Sequence, residues 1–442
     1  MKADSAPPVG QVGNLRTDCQ SVQASEARLS VAKRGSGFRC ARLALLPLCA
    51  VLAAAQSFSQ RGFLESTTLL FPQTAPGDGS HAVDEILLRY EAFYKLLPSL
   101  RIAGAIDFRA DTHLETEHDP GLSWWDRERR RPMFDIRRLS AAYTHGKLTV
   151  EAGRQFIRWG KTDILNPTDR FAPRDYLNVV DNDFLGITAA RATYGGQSNT
   201  IDLVFSPRLT PSRVPLLGER WAPLPEGIPI VEQAPLFPGG PQFGARWNHI
   251  GAAAEYSFSF YNGYDHLPLY LAQLKLAPLE VDLQRFYPQM RMYGADLALP
   301  LPLVTLKAET AYFTSSSTQA DEYALWVIQL ERQAGEWTFV VGYAGQAITS
   351  HGTSIAYSPV RGLTRALVTH AGYTIDTNRS VALEAVIRQN GRGVLLKPEY
   401  TQAFGQHWRL TAGFALIRGA GSDFLGQYHR NSHAILTVRY SF

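Results

Sequence analysis

Residues 434–442 read Ala-Ile-Leu-Thr-Val-Arg-Tyr-Ser-Phe, and two kinds of side chain alternate along this stretch. Counted back from the last residue, every second position is apolar or aromatic: Ala434, Leu436, Val438, Tyr440 and Phe442. Successive side chains of a β-strand point to opposite faces, so this set would share one face, with Ile435, Thr437, Arg439 and Ser441 on the other. The stretch therefore predicts a strand with one apolar face that ends in two aromatic rings.

This stretch resembles the closing strand of bacterial outer-membrane β-barrels. In that class of protein, a terminal Phe with aromatic or apolar residues at alternate positions before it is read by the barrel-assembly machinery. The resemblance implies that Tyr440 and Phe442 form an assembly signal. It also implies that the protein lies in the bacterial outer membrane, and that outer-membrane lipid and the assembly machinery are partners.

The composition argues against a bundle of membrane helices, because the mean hydropathy is only -0.15. One apolar run, residues 43–55, covers about 13 positions and is shorter than the roughly 20 that a spanning helix needs. It follows four basic residues and ends in small residues, which favours a cleaved secretory signal over a buried core helix. We therefore expect residues 1–57 to be an upstream segment plus signal peptide, and residues 58–442 to form a single outer-membrane barrel domain.

Charge and cysteine content narrow the function further. Removing residues 1–57 leaves 37 basic and 37 acidic residues, so the excess positive charge belongs to the presequence and does not predict nucleic-acid binding. The three cysteines, Cys19, Cys40 and Cys49, lie in the same segment. Without them the chain has no disulfide, no thiolate metal site and no cysteine nucleophile, which suits an oxidising periplasm. No cofactor is expected.

From about residue 61 onward, the sequence divides into alternating segments of roughly ten residues, separated by connectors that are short and long in turn. Short connectors are predicted near Pro98-Ser99, His145-Gly146, Gly195-Gly196-Gln197, His249-Ile250, Leu299-Pro300, Ala334-Gly335, Asp376-Thr377-Asn378 and Phe404-Gly405-Gln406. Long connectors are predicted over residues 73–82, 111–132, 159–184, 208–240, 263–286, 315–320, 346–359, 390–393 and 419–429.

This rhythm predicts an all-β fold: a transmembrane antiparallel β-barrel with short periplasmic turns and long outer loops. The count gives about 18 strands, or 16 if segments 62–71 and 86–96 are not the first pair. Alternation alone would also fit a soluble β-sandwich, whose apolar face covers a packed core. The signal sequence, the aromatic last strand and the connector rhythm together favour the barrel.

Charged side chains within the strands should face the lumen, because a basic residue on the lipid face at mid-membrane costs about 2–4 kcal/mol. The residues predicted to line the lumen are Arg101, Asp107, Glu255, Lys307, Glu309, Glu384, Arg388, Arg409 and Arg439. Both signs occur, so they do not settle ion selectivity. A barrel of this size leaves a water-filled channel unless a loop folds into it.

The segment 153–176 is the best candidate for such an infolded loop, because it is dense in charged residues, tryptophan and proline. Its Gly153-Arg154-Gln155 followed by Trp159-Gly160 resembles the strand-to-loop junction of porin-like outer-membrane proteins, many of them uncharacterised. That resemblance implies that eight residues line a constriction or fix the loop to the wall: Arg154, Arg158, Lys161, Asp163, Asp169, Arg170, Arg174 and Asp175. Alternatively, they form salt bridges that hold a plug and contact no solute.

Three classes of function remain after this reasoning. The favoured one is a porin-like channel for passive diffusion of small hydrophilic solutes, narrowed near residues 159–184. A plugged structural or adhesive barrel is the alternative, and the proline-rich segment 208–240 would then serve as an extended outer loop, a cap or a receptor surface. A lipid hydrolase or protease is disfavoured because no Gly-x-Ser-x-Gly or His-Glu-x-x-His motif occurs; His370 is its best candidate residue.

Overall fold

The computed structural model describes residues 57–223, 229–389 and 392–442. The predicted signal peptide lies outside the described residues except for Ser57, and so do residues 224–228 and 390–391 of two predicted outer loops. No helix in these ranges is both long enough and apolar enough to serve as a membrane span.

Eighteen of the described strands form one closed antiparallel barrel, which confirms the larger of the two strand counts. Numbered in chain order, they are β1 (Phe58–Leu70), β2 (Ala82–Leu97), β3 (Leu100–Asp111), β5 (Phe134–His145), β6 (Leu148–Gln155), β9 (Ile187–Gly195), β10 (Asn199–Ser206), β12 (Gln242–Ile250), β13 (Glu255–Tyr264), β16 (Gln289–Pro300), β17 (Thr305–Thr314), β18 (Glu322–Ala334), β19 (Trp337–Ser350), β21 (Ala366–Asp376), β22 (Arg379–Arg388), β23 (Val394–Phe404), β24 (Trp408–Arg418) and β25 (His433–Ser441).

The remaining described elements lie in the long connectors. They are the strands β4 (Leu122–Ser123), β7 (Arg174–Asp175), β8 (Asp183–Phe184), β11 (Ile230–Leu236), β14 (Leu269–Leu276), β15 (Leu279–Phe286) and β20 (Ile355–Ala356), the one-turn helix α1 (Pro359–Gly362) and a 3-10 segment (Gly426–Asn431). Four of these strands form a small separate sheet in the order β11-β15-β14-β20. The predicted loop 263–286 is therefore largely a β-hairpin.

The barrel closes between its first and last strands. β1 pairs with β2 on one side and with β25 on the other, and Leu64 lies opposite Tyr440 in the closing pair. Phe442 continues this pairing, because its backbone N–H donates to the Gly62 carbonyl at 3.0 Å and its carbonyl accepts from Gly62 at 2.9 Å. The strand predicted from residues 434–442 is thus the closing strand of the ring.

The outer face of the barrel is apolar, as the alternation predicts. In β25, Leu436 and Val438 are exposed while Thr437 between them is buried. Exposed aromatic rings cluster where strands meet the short turns, as in Trp337 against Tyr373 and Trp408 against Tyr440. Ring clusters at this level are typical of the membrane-water interface of outer-membrane barrels.

The short connectors fall at or next to the eight predicted places. Two of them begin slightly later than predicted, at residues 251–254 and 301–304, because β12 continues through Ile250 and β16 through Pro300. The long connectors lie at the other end of the barrel, close to the predicted ranges. Two of them differ from ordinary surface loops because most of their residues are buried: residues 156–186, here called the inner loop, and residues 209–221, here called the inner strap.

Candidate functional site

The inner loop begins where β6 ends, and the Gly-Arg-Gln motif builds this junction. Gly153 has φ of +118°, and a Cβ there would lie 2.3 Å from the Leu139 carbonyl oxygen, so only glycine fits. Gln155 follows and donates from Nε2 to the Ala189 carbonyl at 2.9 Å. The motif thus lets β6 pass close to β5 and then directs the chain into the barrel.

Asp169 closes the first turn of the inner loop. Its Oδ1 accepts from the backbone N–H of Trp159 at 2.5 Å and of Gly160 at 2.7 Å. Its other oxygen pairs with Arg158 at 3.3 Å. Trp159 is almost fully buried and donates from its indole nitrogen to Asp202 of β10 at 3.0 Å. Asp169 therefore has a structural role within the loop.

Lys161 and Asp163 attach the inner loop to the wall. Lys161 Nζ lies 2.8 Å from Asp296 of β16 and 3.0 Å from Glu255 of β13. Asp163 pairs with Lys307 of β17 at 3.0 Å, and its backbone N–H donates to a β18 glutamine. The ion pairs of Lys161 and Asp163 therefore hold the inner loop against β13–β18.

Glu309 of β17 is the strongest of these anchors. It is only 2% exposed and accepts hydrogen bonds from the backbone N–H and hydroxyl of Thr168, both at 2.8 Å. It also accepts from the Thr162 hydroxyl and the Lys161 backbone N–H, both at 3.0 Å. Sequence reasoning placed Glu309 on the lumen face but gave no sign of this role.

The far part of the inner loop is held by a buried network of charges. Asp175 accepts from Arg131 at 2.8 Å and Arg213 at 3.1 Å. Burial alone would raise the pKa of the Asp175 carboxyl, but the two guanidinium groups lower it to about 2. Arg154 is 1% exposed and pairs with Asp126 at 2.8 Å, so it fixes an outer loop rather than facing solute.

The inner strap was not foreseen. The proline-rich segment 208–240 was predicted to be an extended outer loop or cap, but residues 209–216, 220 and 221 are buried. Arg213 exchanges backbone hydrogen bonds with Arg174 and Tyr176, each at 3.0 Å. Trp221 at the end of the strap packs on Tyr428, with ring centroids 5.6 Å apart. The apolar residues between its prolines were the available signal.

Three arginines of the inner loop stack on aromatic rings, and two of them, Arg170 and Arg174, border a cavity inside the barrel. The guanidinium carbons of Arg158 and Arg174 lie 4.1 and 4.0 Å from the centre of the Phe184 ring. Arg174 also donates to Asn182 at 2.8 Å, and Arg170 lies over the Phe313 ring. Within the described ranges, neither Arg170 nor Arg174 forms an ion pair with a carboxylate. These two arginines therefore keep a positive charge that no ion pair neutralises.

His266 lies beside the two arginines and is another residue that sequence reasoning missed. It is buried and its Nδ1 is 3.2 Å from the Ser212 hydroxyl. Burial and the charges of Arg170 and Arg174 hold the pKa of His266 well below its ordinary value. His266 is thus neutral near pH 7 and adds polarity without charge.

Two cavities follow one another along the wall formed by β21–β25. The first, of 130 Å³, is lined by Arg170, Arg174 and His266, by the acidic residues Asp169 and Glu384, and by apolar residues of the inner loop and the wall. The second, of 380 Å³, lies toward the short turns and is lined by charged residues, among them Glu65, Glu384, Lys397, Glu399, Arg409 and Arg439. Glu384 borders both of these cavities. A third cavity, of 70 Å³, is lined by residues of β1–β3 and of the outer loops.

The predicted lumen residues all lie on the inner face, but they divide into two groups. Glu384, Arg409 and Arg439 border the larger cavity, and Arg439 also pairs with Glu65 at 2.6 Å. Two others form ion pairs with neighbouring residues: Asp107 binds Arg89 at 2.7 Å, and Arg388 binds Asp423 at 2.9 Å. Glu255 and Lys307 bind the inner loop. Arg101 lies exposed at the short-turn end of β3.

An 18-stranded closed barrel with an apolar exterior and an infolded loop defines a porin-like outer-membrane β-barrel. Among solved structures, the chain is similar to a BenF-like porin from Pseudomonas fluorescens Pf-5, at 10% identity with a TM-score of 0.54, covering 87% of this chain and 98% of that one. It is also similar to Acinetobacter baumannii OccAB4, at 9% identity and a TM-score of 0.54, and to Pseudomonas aeruginosa OpdQ, at 10% and 0.51, with the same coverage.

No protein-family model matches the sequence. No curated protein is significantly similar to it. At these identities, the likeness to solved structures concerns the fold alone.

Proposed function

We propose that the protein is an outer-membrane channel for the passive diffusion of small hydrophilic solutes, narrowed by the inner loop. In this proposal the upstream segment 1–57 is removed and residues 58–442 form the barrel, which the assembly machinery receives through its C-terminal strand. The channel has no catalytic cycle and uses no cofactor.

The observation that carries the proposal is the position of the cavities relative to the anchors. Glu309, Lys161 and Asp163 fix the inner loop to β13–β18, while the two larger cavities lie along β21–β25. A loop that served only as a plug would need no charged space beside it. A rigid loop that leaves polar space on one side instead acts as a constriction.

Arg170 and Arg174 supply the preference of this constriction. Both border the first cavity, and neither forms an ion pair with a carboxylate among the described residues. Arg158 is balanced by Asp169, and Lys161 by two wall carboxylates. Acidic residues also line the cavities, so the preference rests on these two arginines of the inner loop, whose positive charge, unpaired in the described part of the chain, attracts anions. We therefore propose that small anionic solutes pass more readily than cations.

Conductance and reversal potential in planar bilayers test both parts of the proposal. The refolded barrel should give stable current steps that scale with salt, and a salt gradient should show preference for anions. The double variant R170A/R174A should shift the reversal potential toward cation preference with little change in assembly. The matched control is K275A, which removes a positive charge from the exposed hairpin outside the lumen. A folded protein that carries no current would contradict the channel, and an unchanged potential in R170A/R174A would contradict the anion preference alone.

A further inference from the structure

Asp78, His113 and Glu219 meet in the long-connector end of the barrel, although they belong to three different loops. His113 Nε2 lies 3.0 Å from Asp78 Oδ2 and 2.6 Å from Glu219 Oε2, and the three atoms all lie within 4.8 Å of one another. The side chains of Asp78 and His113 are only 4% and 6% exposed, and that of Glu219 is 21% exposed. The cluster is therefore well shielded from solvent.

The backbone holds the three residues in place. Gly77 and Gly218 both have positive φ, at +81° and +88°, and a Cβ on Gly77 would lie 3.2 Å from the Gly218 carbonyl oxygen. This close approach sets the next residues, Asp78 and Glu219, side by side. On the third loop, the backbone N–H of His113 donates to Asp111 at 2.7 Å.

The imidazole of His113 is directed at both carboxylates, and its Nε2 forms ion-pair contacts with Asp78 Oδ2 at 3.0 Å and Glu219 Oε2 at 2.6 Å. Three donors around a zinc-sized ion at about 2.0–2.2 Å would lie about 3–3.5 Å apart. The three donor atoms lie within 4.8 Å of one another, so small shifts of the side chains would let them surround one ion.

We propose that Asp78, His113 and Glu219 bind a divalent transition-metal ion of the Zn²⁺ type. One imidazole and two carboxylates are a donor set that suits zinc, whereas Ca²⁺ and Mg²⁺ favour oxygen ligands alone. The two carboxylates balance the charge of the ion. Arg220 donates from Nε to Asp78 Oδ2 at 2.8 Å and orients this ligand from the outer shell.

Such an ion would join three outer loops, at residues 71–81, 112–133 and 207–241. The third of these contains the inner strap, so the ion would also fix the strap where Trp221 follows Glu219 and Arg220. The ion would order the outer loops and would leave the charge that lines the passage unchanged. The metal site is therefore independent of the proposed anion preference.

Titration of the untagged, refolded and EDTA-treated protein with Zn²⁺ tests the site, with Co²⁺ as a coloured substitute. Isothermal titration should show one Zn²⁺ per chain, and Co²⁺ should give a visible absorption band. H113N and E219Q should each weaken Zn²⁺ binding at least tenfold and remove the band. E219Q is the milder change because, within the described part of the chain, the carboxylate of Glu219 forms an ion pair only with His113.

The matched control is H118N, which removes an exposed histidine from the same loop and should bind Zn²⁺ like the unaltered protein. Heat-modifiable gel mobility confirms that each variant is folded. Absence of one-to-one binding in the unaltered protein would overturn the proposal. Equal weakening in H118N, undiminished binding in both H113N and E219Q, or equally tight binding of Ca²⁺ would also overturn it.

Discussion

The Glu309 carboxylate of β17 accepts both the backbone N–H and the hydroxyl of Thr168, each at 2.8 Å. Thr168 lies near the middle of the inner loop, and the same carboxylate also accepts from Thr162. A hydrogen bond to a charged group contributes roughly 1.5–3 kcal/mol. One side chain of the wall therefore accounts for much of the attachment of this loop.

Removing that carboxylate should loosen the loop while the barrel stays closed. We expect E309A to show larger current fluctuations and a higher mean conductance, because the constriction would sample wider positions. Single-channel recording measures both. The control E322A removes a carboxylate at the outer end of β18, away from Thr168. Quiet currents of unaltered size in E309A would show that the loop does not need this anchor.

Because of Asp175, the free energy of unfolding should depend on pH in the acid range. Because Arg131 and Arg213 hold its folded pKa at about 2, below the ordinary value of 3.8, its contribution is present above about pH 4 and is lost as the pH falls through 2. D175N should therefore lower the free energy of unfolding by about 2 kcal/mol at pH 7, with the difference vanishing near pH 2. Denaturant unfolding in detergent at several pH values measures this. The control is D119N, which changes an exposed loop residue. If the difference in unfolding free energy between D175N and the unaltered protein stayed constant with pH, the expectation would be contradicted.

Gly153 should tolerate no side chain. An alanine Cβ there would meet the Leu139 carbonyl at 2.3 Å in a left-handed backbone conformation, so G153A should cost on the order of 3 kcal/mol or prevent folding. The folded fraction on heat-modifiability gels measures this. G104A on β3 is the matched control, because the nearest atom to its Cβ is a leucine methyl at 4.0 Å. Equal folding of the two variants would refute the role given to Gly153.

Phe442 should matter for assembly through its backbone and its ring. Deleting it removes two hydrogen bonds to Gly62 at the closing pair, so we expect a lower yield of barrel in the outer membrane. F442A keeps the backbone and isolates the ring. The control F404A removes an aromatic ring that is 49% exposed, compared with 53% for Phe442, at the short-turn end of β23. A normal yield of the deletion variant would contradict the assembly signal inferred from residues 434–442.

Local patterns predicted the barrel well, because each strand carries its own alternation and each short turn its own turn residues. The apolar face of β25 and the connector near Ala334-Gly335 could be located without knowing their neighbours. The inner loop could also be predicted, since charges and prolines are concentrated in it. Its ion pairs could not: Lys161 was expected to line the constriction or to fix the loop to the wall, but its partners Glu255 and Asp296 lie about a hundred positions away or more and could not be named.

The inner strap shows what proline content alone does not predict. Proline cannot join a central strand ladder, so the segment was assigned to an extended outer loop or cap, but its burial depends on partners from other loops. Side chains such as Arg213 bind charges from other loops there, and these partners are visible only in three dimensions.

The placement of the cavities gives parts of the ring a different tolerance for change. Substitutions on the inner face of β9–β18 would disturb the seating of the inner loop. In β21–β25, the residues toward the long connectors also pack on the inner loop, whereas those toward the short turns border the larger cavity. A lineage carrying this barrel could therefore alter what it admits by varying the short-turn half of β21–β25, while the packed residues keep the constriction in place.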